Sequence, residues 1–312
     1  MLIQVDGWFG AGKSVLWMLL DGHPDVFCSP IHDYSYCSLI EQSDEHEWVK
    51  TRHIEILRKA LAKTQYYKFE KVYWDGYSSF PFSVKELVQL PFLLKYYEYD
   101  QKFTAHLMAA DQWTIQFIID SIYGKMYESM EYYDPKKLIP SYFASMSNGL
   151  YIDSYENLVH LLPGSKSIQV RRPVENIIAT RSNRTPMPED FKTKKFYSDG
   201  FSTRIEQGEV EKILTFYDKY NKLVTKYPST FMIIDFTDLV KNTEVSMRRI
   251  ADFLKVDFNP NLLIASYNGK ELINNGRKYI GEENDDIDIL LSKQEQSIIR
   301  ERVEKYYADK ML

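Results

Sequence analysis

The sequence has few cysteines, no long apolar run and no excess of basic residues. Cys28 and Cys37 are the only two cysteines among 312 residues, so two free thiols in a reducing compartment are expected rather than a disulfide framework. The apolar segment at residues 2–5 is too short for a signal-peptide core, and no run approaches the roughly 18–20 residues of a membrane span. These absences predict a cytoplasmic protein.

The charge balance argues against a nucleic acid or an anionic membrane as partner, because the formal net charge is -5. Apolar residues make up 44% of the chain and charged residues 27%, which is typical of a globular protein with a substantial core. Any anion-binding site must therefore be built from a local group of cations.

One glycine-rich stretch near the start carries a specific pattern. Gly7-Trp-Phe-Gly-Ala-Gly12-Lys13-Ser14 matches the phosphate-loop pattern G-x-x-x-x-G-K-[ST], and it stands between a strand-like and a helix-like segment, as this motif requires. We call residues 7–12 the glycine loop. Glycines let the backbone turn its amides inward, the lysine adds a positive charge, and the serine hydroxyl can bind a phosphate oxygen or Mg²⁺. The residues predicted to bind the phosphate are Gly10, Ala11, Gly12, Lys13 and Ser14.

The rest of the chain alternates strand and helix patterns. Apolar runs predict buried strands at residues 26–28, 166–170 and 231–234, and periodic apolar residues predict helices at residues 213–227, 247–254 and 292–307. Residues 182–208 have few periodic apolar residues and are predicted to be a mobile loop. The alternation predicts an α/β fold with a parallel sheet flanked by helices. We expect a single domain over residues 1–312, with a large, mostly helical insertion at about residues 38–150.

Two stretches resemble signatures of the sulfotransferase family. Gly12-Lys-Ser-Val-Leu, followed by Leu-Leu-Asp-Gly-His23-Pro-Asp-Val, is similar to its phosphosulfate loop, helix and His-Pro turn. Residues 163–173, which end in Val-Arg171-Arg172-Pro173, look like its second signature, a strand that runs into Arg-x-Pro.

Two later stretches continue the resemblance in the same order. Asp235-Phe-Thr-Asp-Leu, with the helix after it, is similar to the family's Tyr-Glu-Asp-Leu segment. Arg277-Lys278-Tyr-Ile-Gly281 resembles its late Arg-Lys-Gly loop over the nucleotide. A carbohydrate-type member is favoured over an aryl-type member, because the Lys-Thr-His stretch of the aryl enzymes has no counterpart here. Residues 35–150 match nothing in the family pattern.

The resemblance implies a P-loop α/β fold and the donor PAPS, 3′-phosphoadenosine 5′-phosphosulfate, with PAP as the product. PAPS carries negative groups at two separated places, so its site needs two anion-binding regions. The glycine loop supplies one, and the resemblance assigns the 3′-phosphate to Arg171, with Thr180 as a further donor. It also implies that Arg277, Lys278 and Gly281 form a flap over the nucleotide.

Three positions differ from the family pattern. The family's usual lysine or arginine, two positions before the loop's matching glycine, is replaced by Gly10, and the lysine stands at Lys13 instead. The serine expected eight residues after Arg171 is Ala179, and the glutamate of Tyr-Glu-Asp-Leu is Thr237. In addition, four apolar residues precede Asp235, a form that holds Mg²⁺ in P-loop NTPases, although an aspartate there can also cap the next helix. The alternatives are an ATP/Mg-dependent P-loop kinase acting on a small molecule, and a P-loop fold that binds a nucleotide or glycan without chemistry.

Sulfuryl transfer depends on positioning and charge stabilisation, so Lys13 is expected to stabilise the leaving oxygen while a base deprotonates the acceptor hydroxyl. Carbohydrate sulfotransferases often place an acidic base soon after the second strand. Asp33 occupies that region, His32 stands beside it, and Asp153 is the reserve candidate. No spacing of His, Cys and Asp predicts a metal site.

Thirteen aromatic residues lie between positions 66 and 103. Aromatic rings stack on sugars, so a glycan is one class of hydroxyl-bearing acceptor that they would suit, while packing within the insertion is the simpler interpretation.

Overall fold

The structure is a computed structural model that describes residues 1–29, 39–41, 57, 94–136, 138–147, 149, 151–182, 194–267, 269–271, 273–274, 277–278 and 287–311. Its centre is a five-stranded sheet of order β2-β3-β1-β4-β5, in which every pairing is parallel. The strands are β1 (Leu2–Asp6), β2 (Val26–Cys28), β3 (Tyr142–Met146), β4 (Lys166–Arg171) and β5 (Phe231–Asp235). The predicted α/β fold with a parallel, helix-flanked sheet is confirmed.

Helices cover both faces of this sheet, as an all-parallel sheet requires. They are α1 (Lys13–Leu20), α2 (Tyr96–Ala109), α3 (Ile115–Tyr127), α4 (Glu156–Leu161), α5 (Val174–Ser182), α6 (Lys194–Glu206), α7 (Glu209–Lys226), α8 (Phe236–Lys241), α9 (Thr243–Leu254), α10 (Ile287–Leu290) and α11 (Lys293–Met311). Two short antiparallel pairs follow α9: β6 (Ser266–Tyr267) with β7 (Lys270–Glu271), and β8 (Ile273–Asn274) with β9 (Arg277–Lys278).

The two faces of β1 belong to two hydrophobic clusters. Ile3 packs in the cluster that contains Trp17 of α1 and Met247 of α9. Leu2 packs in the cluster that contains Phe216 of α7. Because successive strand residues point to opposite faces, β1 is buried along its whole length. It therefore forms a rigid base for the glycine loop that follows it.

The chain runs from β1 to β2 on one side of the sheet and later crosses to β4 on the other side of β1. Open α/β sheets bind ligands at the carboxyl ends of their strands, where the strand order reverses. The loops after β1 and β4 therefore meet at the edge where this fold class places its binding site.

The C-terminal limit of the predicted helical insertion is wrong, because β3 lies inside residues 38–150 and pairs with both β1 and β2. Tyr-Phe-Ala-Ser-Met in β3 is short and contains no β-branched residue, so it has a weak strand pattern. Its position between two strands stabilises it as a strand. Of the preceding region, α2 and α3 are helical as expected, and most of residues 42–93 lie outside the described residues.

The predicted mobile loop at residues 182–208 is also wrong for its second half. Residues 194–206 form α6, and residues 183–193 lie outside the described residues. Phe201 and Ile205 stand four residues apart and are buried in the cluster that contains Leu2. Two apolar residues at this spacing stabilise the helix through tertiary contacts and leave only a faint sequence pattern.

Two smaller predictions concern the edges of the sheet. β5 forms as predicted but is an edge strand, so Met232 and Ile233 are half-buried rather than buried. Cys28 at the end of β2 is a free, buried thiol, and burial raises its pKa well above the usual value. Cys37 lies outside the described residues.

Candidate active site

The glycine loop joins β1 to α1 at the carboxyl edge of the sheet. Gly12 is the residue before α1 and has a φ of 89°, in the left-handed region that favours glycine. A Cβ at this position would lie 2.2 Å from the ring of Phe236, so a side chain has no room there. Glycine thus allows the backbone to pass against Phe236 and enter α1, whose N-terminus is the positive end of the helix.

Lys13 is the first residue of α1 and lies back against the glycine loop. Its Nζ donates to the carbonyl of Gly7 over 3.2 Å and lies 5.1 Å from the ring centroid of Phe9. The side chain is only 5% exposed. Ser14 follows in the same turn and is half-buried. The five residues predicted to bind phosphate thus form one continuous turn with a cation against its backbone.

A second cation, Arg172, reaches the same loop from the end of β4. Its guanidinium donates to the Thr180 hydroxyl over 3.0 Å and to the carbonyl of Gly10 over 3.4 Å. It also lies 4.9 Å from the ring centroid of Phe236 and is 6% exposed. Arg172, Thr180 on α5 and the glycine loop therefore form one group.

Arg171, the residue assigned by the family resemblance, faces a different part of the molecule. Its guanidinium donates to Gln169 over 2.7 Å and to the Asn221 side chain over 3.0 Å. It stacks 4.5 Å from the ring centroid of Tyr217 on α7. Among the described residues, the structure brings Thr180 to the glycine loop and brings Arg171 to α7.

Tyr217 hydrogen-bonds to both backbone polar groups of Arg172. The tyrosine hydroxyl donates to the Arg172 carbonyl over 2.7 Å and accepts from the Arg172 amide over 3.3 Å. Burial raises the pKa of Tyr217 to about 12, so the hydroxyl keeps its proton at neutral pH. This pair of hydrogen bonds fixes the point at which the chain leaves β4 and directs the Arg172 side chain.

A buried carboxylate, Asp6, stands at the end of β1 directly before the glycine loop. Its Oδ1 accepts from the Gly149 amide over 3.0 Å, and the side chain is fully buried. Burial raises the pKa of Asp6, while the Gly7 amide and the charge of Lys13 oppose that rise. Asp6 therefore links the start of the loop to the turn after β3.

The carboxylates considered in the sequence lie in different places. Asp235 ends β5 and is the residue before α8; it makes no side-chain capping hydrogen bond within the described part of the chain. Asp153 is exposed and forms an ion pair with Lys219 of α7. Asp33 and His32 lie outside the described residues, so their placement stays a prediction.

Comparison with protein families gives a match over most of the chain. A sequence model described as the sulfotransferase family matches residues 11–260. The chain belongs to the sulfotransferase family. The match begins inside the glycine loop and includes β4 and its following arginines.

Solved structures similar to this sulfotransferase are themselves sulfotransferases. The sulfotransferase domain from the Synechococcus PCC 7002 olefin synthase is 16% identical, with a TM-score of 0.51, and the match covers 98% of this chain and 94% of that chain. The sulfotransferase domain from the curacin biosynthetic pathway is 17% identical, with a TM-score of 0.43 and coverage of 85% and 77%. Sulfotransferase STF1 from Mycobacterium tuberculosis H37Rv is 15% identical, with a TM-score of 0.38 and coverage of 84% and 69%.

At these identities the likeness to solved structures supports the fold alone. Comparison with curated proteins gives no match. Of the helices that the structure describes, none has the length and apolar character needed to cross a membrane.

The predicted flap of the sulfotransferase lies beyond the matched residues. Arg277 and Lys278 form β9, which pairs with β8 in an antiparallel hairpin. Gly281 lies outside the described residues. Closure of this segment over a nucleotide stays a prediction.

Sequence reasoning missed Arg172, and a signal for it was present. Arg172 and Thr180 are eight residues apart, which is the separation expected between the family's arginine and serine. Shifting the motif by one residue therefore supplies both the cation and the hydroxyl. Two other site residues, Asp6 and Tyr217, carried no sequence signal, because their roles depend on contacts between segments that are distant along the chain.

Proposed function

We propose that this sulfotransferase moves a sulfuryl group from PAPS to a hydroxyl group of an acceptor. The observation that carries the proposal is the convergence of Lys13 and Arg172 on the glycine loop, at 3.2 Å and 3.4 Å from two of its carbonyls. Two cations at one loop are notable in a chain of net charge -5. A donor with two anionic groups would use both.

The residues present fit the two ends of such a donor. Gly12 has a positive φ and no space for a Cβ, which suits a loop whose backbone approaches an anion closely. Lys13 and Ser14 would hold the 5′-phosphosulfate, together with the amides of Gly10 to Gly12. Arg172 with Thr180 would hold the 3′-phosphate, because a guanidinium matches phosphate geometry through two parallel hydrogen bonds.

Arg171 keeps a supporting part in this proposal. Its guanidinium is hydrogen-bonded to Gln169 and Asn221 and stacked on Tyr217. A ligand would have to replace those contacts before this arginine could bind a phosphate. We therefore assign the direct contact with the 3′-phosphate to Arg172, with Arg171 as the alternative. Comparing PAP binding by Arg172→Ala and by Arg171→Ala distinguishes the two assignments.

When bound, PAPS supplies an activated sulfuryl group on a good leaving phosphate. The contribution of the protein is to orient the two reactants and to stabilise charge on the leaving oxygen. Lys13 performs the second task, because its ammonium already lies at the loop and is shielded from water. The transferred group carries less charge than a phosphoryl group, so no metal is required.

The base that deprotonates the acceptor is proposed to be Asp33, with His32 as its neighbour or replacement. Both follow β2 by a few residues, and β2 ends at the same carboxyl edge as β1. Asp153 is the weaker candidate, since its carboxylate is exposed and paired with Lys219.

Asp33→Asn should lower turnover by roughly 10²–10⁴-fold while PAP still binds. Normal turnover in Asp33→Asn with loss in His32→Ala would assign the base to the histidine.

The acceptor class is proposed to include glycans. The support is the density of aromatic residues between positions 66 and 103. Of the described members, Tyr99 and Phe103 are fully buried and stacked on each other with centroids 5.8 Å apart, so these two serve packing. A PAPS assay with labelled sulfate against glycan, phenolic and peptide acceptors would identify the class. Transfer only to phenols would reject the glycan.

The kinase alternative has less support. It would hold Mg²⁺ with Asp235, the Ser14 hydroxyl and the nucleotide phosphates, and it gives the Arg-x-Pro strand and the Arg277 loop no set role. The family match also favours sulfuryl transfer.

A thermal-shift titration tests the donor directly. PAP should raise the melting temperature without Mg²⁺, because binding to the folded state alone stabilises it. ATP with Mg²⁺ should raise it less. Stabilisation by ATP with Mg²⁺ but not by PAP would support the kinase, and stabilisation by neither would reject both nucleotide proposals.

A further inference from the structure

One buried carboxylate outside the predicted site, Glu209, receives hydrogen bonds from three separate segments. Glu209 is the first residue of α7 and its side chain is 7% exposed. Its Oε1 accepts from the Trp8 indole Nε1 over 2.9 Å and from Arg181, and its Oε2 accepts from Arg204 over 3.0 Å. The residue therefore connects the glycine loop with α5, α6 and α7.

These contacts enclose the first half of the glycine loop. The Trp8 ring lies 5.9 Å from the ring of Phe216, and the Arg181 guanidinium lies 5.1 Å from the ring centroid of Phe9. Lys13 Nζ also lies 5.1 Å from the Phe9 ring centroid. Phe9 is thus held between a cation of α5 and the lysine assigned to the leaving oxygen.

Gly10 is enclosed by the same arginine. A Cβ at Gly10 would lie 3.2 Å from Cγ of Arg181 and 3.7 Å from Cβ of Thr180. The backbone of Gly10, with φ of 87°, therefore packs closely against the Arg181 side chain of α5. Glu209 in turn anchors that arginine, so the loop backbone is coupled to Glu209 through two routes, Trp8 and Arg181.

The Glu209 carboxylate is shared by two partly buried arginines. Arg181 and Arg204 both contact Glu209, and Lys13 and Arg172 lie at the same loop. Without the Glu209 carboxylate, the partly buried guanidinium groups of Arg181 and Arg204 would lose a shared anionic partner.

We propose that Glu209 is a positioning residue that holds residues 8–10 of the glycine loop in the donor-binding conformation before the donor arrives. A loop that is already ordered loses less conformational entropy when its ligand binds, so affinity rises without any contact between Glu209 and the ligand. The effect on donor binding rests on the proposed function, whereas the effect on loop order does not.

The first experiment measures loop order without ligand. Hydrogen exchange of the Trp8 indole N–H, followed by NMR, should be slow in the wild type. In Glu209→Gln it should accelerate by about tenfold, because a neutral amide oxygen replaces the charged acceptor and weakens the hydrogen bond. Glu211→Gln is the matched control, because Glu211 lies on the same helix and pairs with Arg302 over 3.0 Å. Fast exchange in the wild type, or equal exchange in both variants, would overturn the proposal.

The second experiment measures PAP affinity in a double-mutant cycle of Trp8→Phe and Glu209→Gln. Trp8→Phe retains an aromatic ring and removes the indole donor together with part of the buried ring system. Each single variant should weaken PAP binding, on the order of tenfold for Trp8→Phe. The double variant should bind more tightly than the sum of the two effects predicts, because both act through one hydrogen bond. Loss of the Glu209 charge also changes the general electrostatic attraction of PAP. This change is the same with Trp8 or Phe at position 8, so it cancels in the coupling energy of the cycle.

The possible outcomes separate the two proposals. Strictly additive effects on PAP affinity, or no effect of either variant, would overturn the positioning role. If the wild type binds no PAP, the proposed donor is wrong, and the indole exchange still decides whether Glu209 orders the loop. If Glu209→Gln fails to fold, Trp8→Phe and the exchange rate in the wild type remain as tests.

Discussion

The Arg172 guanidinium donates to the Thr180 hydroxyl over 3.0 Å, and the same side chain contacts the carbonyl of Gly10. This contact joins the end of β4, the second turn of α5 and the glycine loop. Arg171, one residue earlier, points toward α7 instead, because successive residues of an extended chain face opposite directions. The two neighbouring arginines therefore have different surroundings, and mutation can separate their roles.

Arg172→Ala should weaken PAP binding by roughly 10–100-fold, which is the usual effect of losing a hydrogen bond to a charged group. Binding of adenosine 5′-phosphate, which lacks the 3′-phosphate, should change little. Arg171→Ala is the matched control and should have the smaller effect on PAP. Titration calorimetry with PAP and with adenosine 5′-phosphate measures the two affinities for each variant. A larger loss of PAP affinity in Arg171→Ala than in Arg172→Ala would assign the 3′-phosphate contact to Arg171.

Lys13→Ala should reduce turnover by about 10²–10³-fold, because the ammonium acts on charge that grows as the leaving oxygen departs. PAP affinity should fall much less. Steady-state kinetics with labelled PAPS, together with PAP titration, separates the two effects. Lys125→Ala on α3, whose side chain pairs with Glu128, is a suitable control and should turn over normally. Equal losses in PAP affinity and turnover for Lys13→Ala would indicate a binding role only.

Gly12→Ala should destabilise the protein by a few kcal/mol. Alanine would have to adopt the positive φ of this position, and its Cβ would lie 2.2 Å from the Phe236 ring. Gly124→Ala is the control. Gly124 lies inside α3, and among the described residues no atom beyond the helix's own backbone lies within 4 Å of the added Cβ, so alanine should stabilise by about 0.5–1 kcal/mol. Urea unfolding measures both changes. Similar unfolding free energies for the two variants would contradict the described loop.

Tyr217→Phe should leave the fold intact and weaken PAP binding several-fold, because it removes both hydrogen bonds to the Arg172 backbone. The aromatic ring and its stacking on Arg171 remain. If the tyrosine acts through Arg172, Tyr217→Phe should have no effect in an Arg172→Ala background. An undiminished effect in that background would show that Tyr217 acts elsewhere.

Asp6→Asn should change how stability depends on pH. An unfolded aspartate has a pKa of about 3.9, and burial raises the pKa of Asp6 in the folded protein. The stability that this residue contributes is therefore fully present below about pH 4 and is lost as pH rises through the folded pKa. Asparagine cannot ionise, so wild-type stability relative to Asp6→Asn should fall from about pH 4 upward. Parallel urea-unfolding curves at pH 4 and pH 8 would contradict this assignment.

The sequence by itself determined the α/β class, the glycine loop and the resemblance to sulfotransferases. These features are local, since a run of apolar residues, a glycine spacing or a helical periodicity reflects the chain within one turn or strand. The same locality explains two of the errors. β3 and α6 have weak local patterns, and contacts with residues far along the chain stabilise them.

The tertiary structure decided which side chains meet at the loop. Arg171 and Arg172 are adjacent residues of the same type, so the sequence alone does not distinguish them. The direction in which β4 ends, together with the hydrogen bond from Tyr217 on α7, places Arg172 against Gly10. Glu209 likewise stands 201 residues from Trp8, and no pattern within either segment links them. Sequence periodicity describes the faces of single elements, whereas a site built from several distant segments depends on how those elements pack against one another.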